Sequence, residues 1–189
     1  MEESEVATIR EGRSDVVLVV DFQNGVVSSA YNRDSVAKKI QEVIDRARAS
    51  KVPVIWVQQS DAELVEGSAE WGIFSGLAPD AQEHRVHKKY NSCFEDTELD
   101  SILSELKATR IILTGAATNW CIRATAYGAL DRGYDVTLVG DAHTTGNVPL
   151  GIGQEIPAEN VIKELNLTMK FLSYPGRANE VVRASTLSF

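Results

Sequence analysis

The chain has two cysteines, Cys93 and Cys121, and the second stands where a thiol can become reactive. In residues 111–125, IILTGAATNWCIRAT, a strand-like apolar run is broken by Gly115. A helix-compatible segment opens near Thr118 or Asn119 and carries Cys121 in its first turn. Free N–H groups and the positive end of a helix macrodipole favour thiolate over thiol, which predicts a Cys121 pKa below the usual value of about 8.5. Such a thiolate is a nucleophile. Position alone also fits a small buried hydrophobe at a helix–sheet contact.

Two further residues converge with it. Asp21 ends the apolar run 15–21, DVVLVVD, and Lys88 lies near the end of a short strand-like segment, 85–89. If the strand order is 3-2-1-4-5, the first and fourth strands are neighbours, and Asp21 and Cys121 face one crevice beyond the carboxyl ends of the strands. A carboxylate can take the thiol proton and return it to a leaving group, while an ammonium stabilises both anions. Backbone N–H groups in the turn 115–121 would bind an oxyanion. Taken singly, Asp21 reads as a turn acid and Lys88 as a solvated charge beside Lys89. The rival base for Cys121 is His143, which in the segment Asp141-Ala142-His143 also suits a structural turn.

The elements that must hold these residues alternate. Residues 15–21, 52–59, 85–89, 110–114 and 135–140 read as strands, the first a Val/Leu run typical of a parallel strand buried on both faces. Residues 34–50, capped by Asp34, read as a helix with Val36, Ile40, Val43, Ile44 and Ala47 inward. Residues 97–107 read as a second helix, where Thr97 and Asp100 have the spacing of a capping box, and a third helix runs to Arg132 and stops at Gly133. The expected architecture is a three-layer αβα, doubly wound, mainly parallel sheet in a single domain, 1–189. Residues 60–80 form an irregular, aromatic-bearing loop that reads equally as a lid or pocket wall and as a loop pinned to the surface by its aromatics. After residue 145 a loop is expected at 146–153, a helix at 157–167, and a sixth strand at either 168–172 or 181–186.

The bulk numbers narrow the function. A net charge of −8 repels nucleic-acid phosphates, so a small-molecule substrate is expected and no nucleic acid. There is no membrane-length apolar run and no signal-peptide pattern in residues 1–15, which points to a cytoplasmic protein. His84, His87 and His143 make no zinc motif. Gly151-Ile152-Gly153 follows no strand and lacks a third glycine, so no dinucleotide cofactor is expected.

Three segments resemble the isochorismatase-like cysteine hydrolases, the superfamily of nicotinamidases, N-carbamoylsarcosine amidohydrolase and ureidoacrylate amidohydrolase. They are VVLVVDFQNG, HKKYNSCFEDTELDSIL and LTGAATNWCIRATAYGALDRGYDVTLVGDAHTT, and the likeness is strong over residues 16–145 and continues more weakly to Gly176. A lysine six residues before Phe94 selects Lys88 over Lys89. The resemblance implies the Rossmann-like isochorismatase-like fold, with Cys121 as nucleophile, Asp21 as general base and acid, and Lys88 as the cation beside them. It also implies a cis peptide between Ala116 and Ala117, an oxyanion hole from the Ala117 and Cys121 N–H groups, and a homodimer or homotetramer.

Nicotinamidases carry an Asp-x-His metal motif after the second strand, whereas this chain has Gln58-Gln59-Ser60-Asp61, so no metal and no cofactor are expected. The expected activity is metal-independent cleavage of a small amide or carbamoyl C–N bond through a thioester. Candidate pocket residues are Phe22, Gln23, Trp71, Tyr90, Asn119 and Trp120. Two alternatives remain: vinyl-ether hydrolysis with Asp21 as acid and Cys121 dispensable, and a non-catalytic binding protein on the same fold.

Overall fold

A computed structural model describes residues 10–189; the rest of the acidic N-terminal segment lies outside the described residues. Its main sheet has six strands in the order β3-β2-β1-β4-β5-β8, all neighbours parallel. These are β1 (Asp15–Val20), β2 (Val54–Gln59), β3 (His84–Lys88), β4 (Arg110–Ala116), β5 (Asp135–Thr144) and β8 (Asn179–Val182). The first five fall in the expected order, and every residue of β1 is buried, as its unbroken apolar run requires.

Side-chain alternation divides β1 between two cores. Val17 and Val19 join Trp56 and the apolar stripe of α1 (Arg33–Ala49) on one face. Val16, Leu18 and Val20 face the other layer, with α2 (Leu99–Glu105), α3 (Arg123–Asp131) and α4 (Ala158–Phe171). Helices therefore cover both faces, giving the expected three-layer αβα arrangement.

Several local expectations are corrected. Asn32, with a left-handed φ of 50°, occupies the cap position of α1, and Asp34 lies inside the first turn. The capping box does not form: the Thr97 hydroxyl donates to the Cys93 carbonyl at 2.6 Å, while Asp100 accepts from Arg132 at 3.1 Å. The Thr97 oxygen still accepts from the Leu99 N–H at 3.3 Å, but α2 begins at Leu99 with Glu98 at its cap, which puts the pair one position out of box register. Residues 146–153 are not all loop, because β6 (Val148–Gly151) and β7 (Gln154–Ile156) pair as a small antiparallel hairpin. The sixth strand comes from the second candidate region, beginning two residues earlier, while residues 168–171 close α4. Among the described residues no helix is long and apolar enough to cross a membrane.

Candidate active site

Period-two alternation leads the side chains to one point. Val57 in β2 and Val86 in β3 belong to the core layer that contains Leu18, Val20 and Cys121. Two residues further on, Gln59 and Lys88 continue the same face and sit beside each other in register. Asp21 lies just past β1, in the left-handed region at φ 46°, and its N–H donates to the Val57 carbonyl at 2.9 Å. Pairing thus continues one residue beyond the strand while the carboxylate turns inward.

Cys121 enters from the next strand. The Ala116–Ala117 peptide is cis, as the resemblance implied. The chain then winds through one π-helical turn, Thr118–Ile122, before α3 starts, so the thiol is carried by a wider turn than the expected α-helix. The Trp120 and Ile122 N–H groups donate to the Ala117 carbonyl at 3.1 and 3.2 Å. Among the described residues, the Ala117 and Cys121 N–H groups make no backbone bond outside their own turn.

The three residues meet. Lys88 Nζ is 2.7 Å from Asp21 Oδ2 and 3.3 Å from Cys121 Sγ. Asp21 and Lys88 are each 1% exposed and Cys121 8%, so solvent does little to screen their charges. Burial raises the pKa of Asp21 against the pull of Lys88. Burial works the other way on Lys88, but the negative charges facing it, chiefly Asp21, outweigh it and keep the amine protonated.

The thiol departs from expectation. Burial and then the Asp21 charge push the Cys121 pKa up, with Lys88 opposing, so Cys121 rests as a thiol and not as the thiolate predicted from its turn. What the arrangement offers is a proton acceptor with raised basicity beside a buried thiol, and a fixed cation touching both.

His143 is not the partner of Cys121. Its ring is buried and bonded to the Thr118 hydroxyl at 2.9 Å and to Asn166 Oδ1 at 3.0 Å.

The candidate pocket residues divide. Phe22 is buried edge-on against Phe74, 5.8 Å between centroids. Gln23 is fully buried and bonds backbone groups of Gln59 and Trp71. Trp71 packs edge-on against His87, and Asn119 accepts from the Thr145 hydroxyl at 2.7 Å. Tyr90 and Trp120 expose over half of their surface, and Tyr90 reaches Lys88 through its carbonyl, which accepts from Nζ at 3.0 Å. Sequence reasoning missed Gln59, whose Oε1 accepts from Lys88 Nζ at 2.6 Å, although the alternation Ile55, Val57, Gln59 carried the signal.

A recess of about 230 Å³ has Lys88 in its wall, with Ser60, Glu66, His87, Lys89 and Asp96. A larger cleft of about 750 Å³, between residues 24–28 and 61–70, includes none of Asp21, Lys88 or Cys121.

The isochorismatase domain family model matches residues 15–150. The chain belongs to the isochorismatase family. A streptothricin hydrolase of Streptomyces noursei is 32% identical over 153 residues, 75% of this chain and 60% of that protein. The isochorismatase-family chain therefore spans about three-fifths of that relative's length. A maleamate amidohydrolase of Pseudomonas putida is 31% identical over 96 residues, 48% of this chain and 45% of that protein. The solved structure of an isochorismatase from Pseudomonas putida superposes with a TM-score of 0.82 at 23% identity, covering 92% of this chain and 90% of that one, a likeness of fold. The family is one of hydrolases, and amidohydrolases are among these relatives.

Proposed function

We propose that this isochorismatase-family chain is a metal-independent cysteine amidohydrolase acting on a small amide or carbamoyl compound. The observation that carries the reading is the buried Lys88 ammonium in contact with both Asp21 Oδ2 and Cys121 Sγ. The maleamate amidohydrolase relative supports the amide class.

In this reading Asp21 takes the Cys121 proton as sulfur attacks the carbonyl carbon, and Lys88 holds the negative charge as it moves from carboxylate to sulfur. The Ala117 and Cys121 N–H groups receive the developing oxyanion. Collapse breaks the C–N bond, the amine leaves with the proton held by Asp21, and an acyl thioester remains. Water then attacks that carbonyl as Asp21 takes its proton. The second collapse breaks the C–S bond, releases the acid and returns the proton to sulfur. The stretch Gln58-Gln59-Ser60-Asp61, which corresponds to the nicotinamidase metal motif, has no histidine, and its Gln59 is bonded to Lys88, which supports a reaction without a metal.

The test is ammonia or amine release from a panel of small amides, ureides and carbamoyl compounds by the native protein and by Cys121→Ala. Turnover should fall by at least about a thousandfold in the variant. Amine release that survives it would overturn the thioester route, and a folded protein silent on the whole panel would favour Asp21-driven ether hydrolysis or a binding protein.

A further inference from the structure

Lys88 Nζ has four polar atoms around it but three protons to give. Gln59 Oε1 lies at 2.6 Å, the Tyr90 carbonyl at 3.0 Å and Cys121 Sγ at 3.3 Å, each with hydrogen-bond geometry. Asp21 Oδ2 is at 2.7 Å, yet neither Asp21 oxygen has an aligned donor among the described residues. Gln59, Tyr90 and the sulfur are thus the aligned acceptors for its three protons, and the Asp21 carboxylate lies alongside the same ammonium, close enough to compete for one of them.

The Gln59 amide has one workable orientation. Its Nε2 donates to the Lys89 carbonyl at 3.0 Å and the Ser60 carbonyl at 3.3 Å, which leaves Oε1 for the ammonium. Reversing the amide would set NH2 against NH3⁺ and carbonyl against carbonyl. The Gln59 backbone is itself fixed by Gln23, which accepts from the Gln59 N–H at 2.8 Å and donates to its carbonyl at 3.0 Å and to the Trp71 carbonyl at 2.8 Å. Gln23 is fully buried two residues after Asp21.

We propose that Gln59, clamped by Gln23, is the positioning residue that aims the Lys88 ammonium at the Cys121 sulfur and leaves the Asp21 oxygens free to receive the thiol proton. The proposal rests on the amidohydrolase reading and adds a residue to it. Tyr90 and Gln59 are neutral acceptors, so they direct two N–H bonds without diminishing the charge of Lys88. The titratable groups facing that charge are Asp21, Cys93 and Cys121. Without Gln59 Oε1, the released N–H has Asp21 Oδ2 as its nearest acceptor. A hydrogen bond there makes the carboxylate a weaker base for the thiol.

The test is the pH dependence of iodoacetamide alkylation at Cys121, followed by the mass of the Cys121 peptide, in native protein, Gln59→Met and Gln59→Glu. Gln59→Met keeps the side-chain length but has no oxygen acceptor. Its alkylation midpoint should rise by about one pH unit, and kcat should fall about tenfold with KM within about twofold. Gln59→Glu keeps the acceptor and adds an anion that competes for the ammonium, so its midpoint should rise further. Melting temperature is followed alongside, because a packing role would lower it and leave the midpoint in place. Either variant, folded, with the native midpoint would overturn the proposal. The profile requires no substrate, so it judges Gln59 separately from the amidohydrolase reading, whose failure shows as turnover indifferent to Cys121→Ala.

Discussion

Gly115 lies against Val20 so closely that a Cβ on it would sit 2.0 Å from the Val20 carbonyl oxygen and 2.7 Å from its nitrogen. The two residues are register partners in β1 and β4, one residue before Asp21 and one before the cis peptide that leads to Cys121. With φ at 120°, Gly115 also has a backbone conformation that side chains rarely tolerate. Gly115→Ala should therefore lose roughly 3 kcal/mol or more of stability, because both obstructions are backbone and the sheet must part to admit the methyl group. Urea denaturation of native and variant protein measures this, and a loss below about 1 kcal/mol would contradict the close approach.

The Asp21–Lys88 pair should trade stability for function. Lys88→Met strands a buried carboxylate and is expected to cost roughly 3–5 kcal/mol, whereas the double change Asp21→Asn with Lys88→Met removes both charges and should recover most of that loss. Neither form should turn over substrate. Equilibrium unfolding of the four proteins in the cycle gives the coupling, and strictly additive losses would show that the ion pair is energetically idle.

His143 links protonation to folding. Asn166 Nδ2 donates to the Gly140 carbonyl at 3.0 Å, so Asn166 Oδ1 is the atom facing the ring and His143 Nε2 must carry the hydrogen. Nδ1 then accepts from the Thr118 hydroxyl, which opens the turn bearing Cys121. Burial lowers the His143 pKa from 6.5 to about 4, with Asn166 and Asp141 opposing. The folded state thus binds fewer protons than the unfolded one between these values. The resulting stability is complete above pH 6.5 and declines as pH falls toward 4, by roughly 3 kcal/mol in all. Stability measured from pH 7 to 4 should show this slope in native protein and lack it in His143→Gln. Equal slopes would remove His143 from the account.

The two thiols should differ in chemistry. Burial raises the pKa of both thiols, but Cys93 is fully buried, whereas Cys121 keeps a small exposed surface and a cation in contact. Limited iodoacetamide treatment followed by peptide mapping should find modification at Cys121 before any at Cys93. The reverse order would place the reactive thiol elsewhere.

The amino-acid sequence by itself determined the alternation of five strands with helices, because apolar runs and 3.6-residue stripes encode burial locally. It also marked Asp21, Lys88 and Cys121 as residues at strand ends. Tertiary structure decided what touches what. Thr97 and Asp100 have capping-box spacing, yet α2 starts with Glu98 at its cap and the Asp100 carboxylate pairs with Arg132, 32 residues away. The sixth strand was ambiguous in sequence because an edge strand of mixed polarity, half-buried as NEVV, carries little periodic signal. The resting thiol state was equally out of reach: the turn favours an anion, but depth of burial and the nearness of Asp21 outweigh it, and both are distances between segments far apart in the chain. Gln59 belongs to the same class, since its bond to Lys88 spans 29 residues and exists only because β2 and β3 pair in one register.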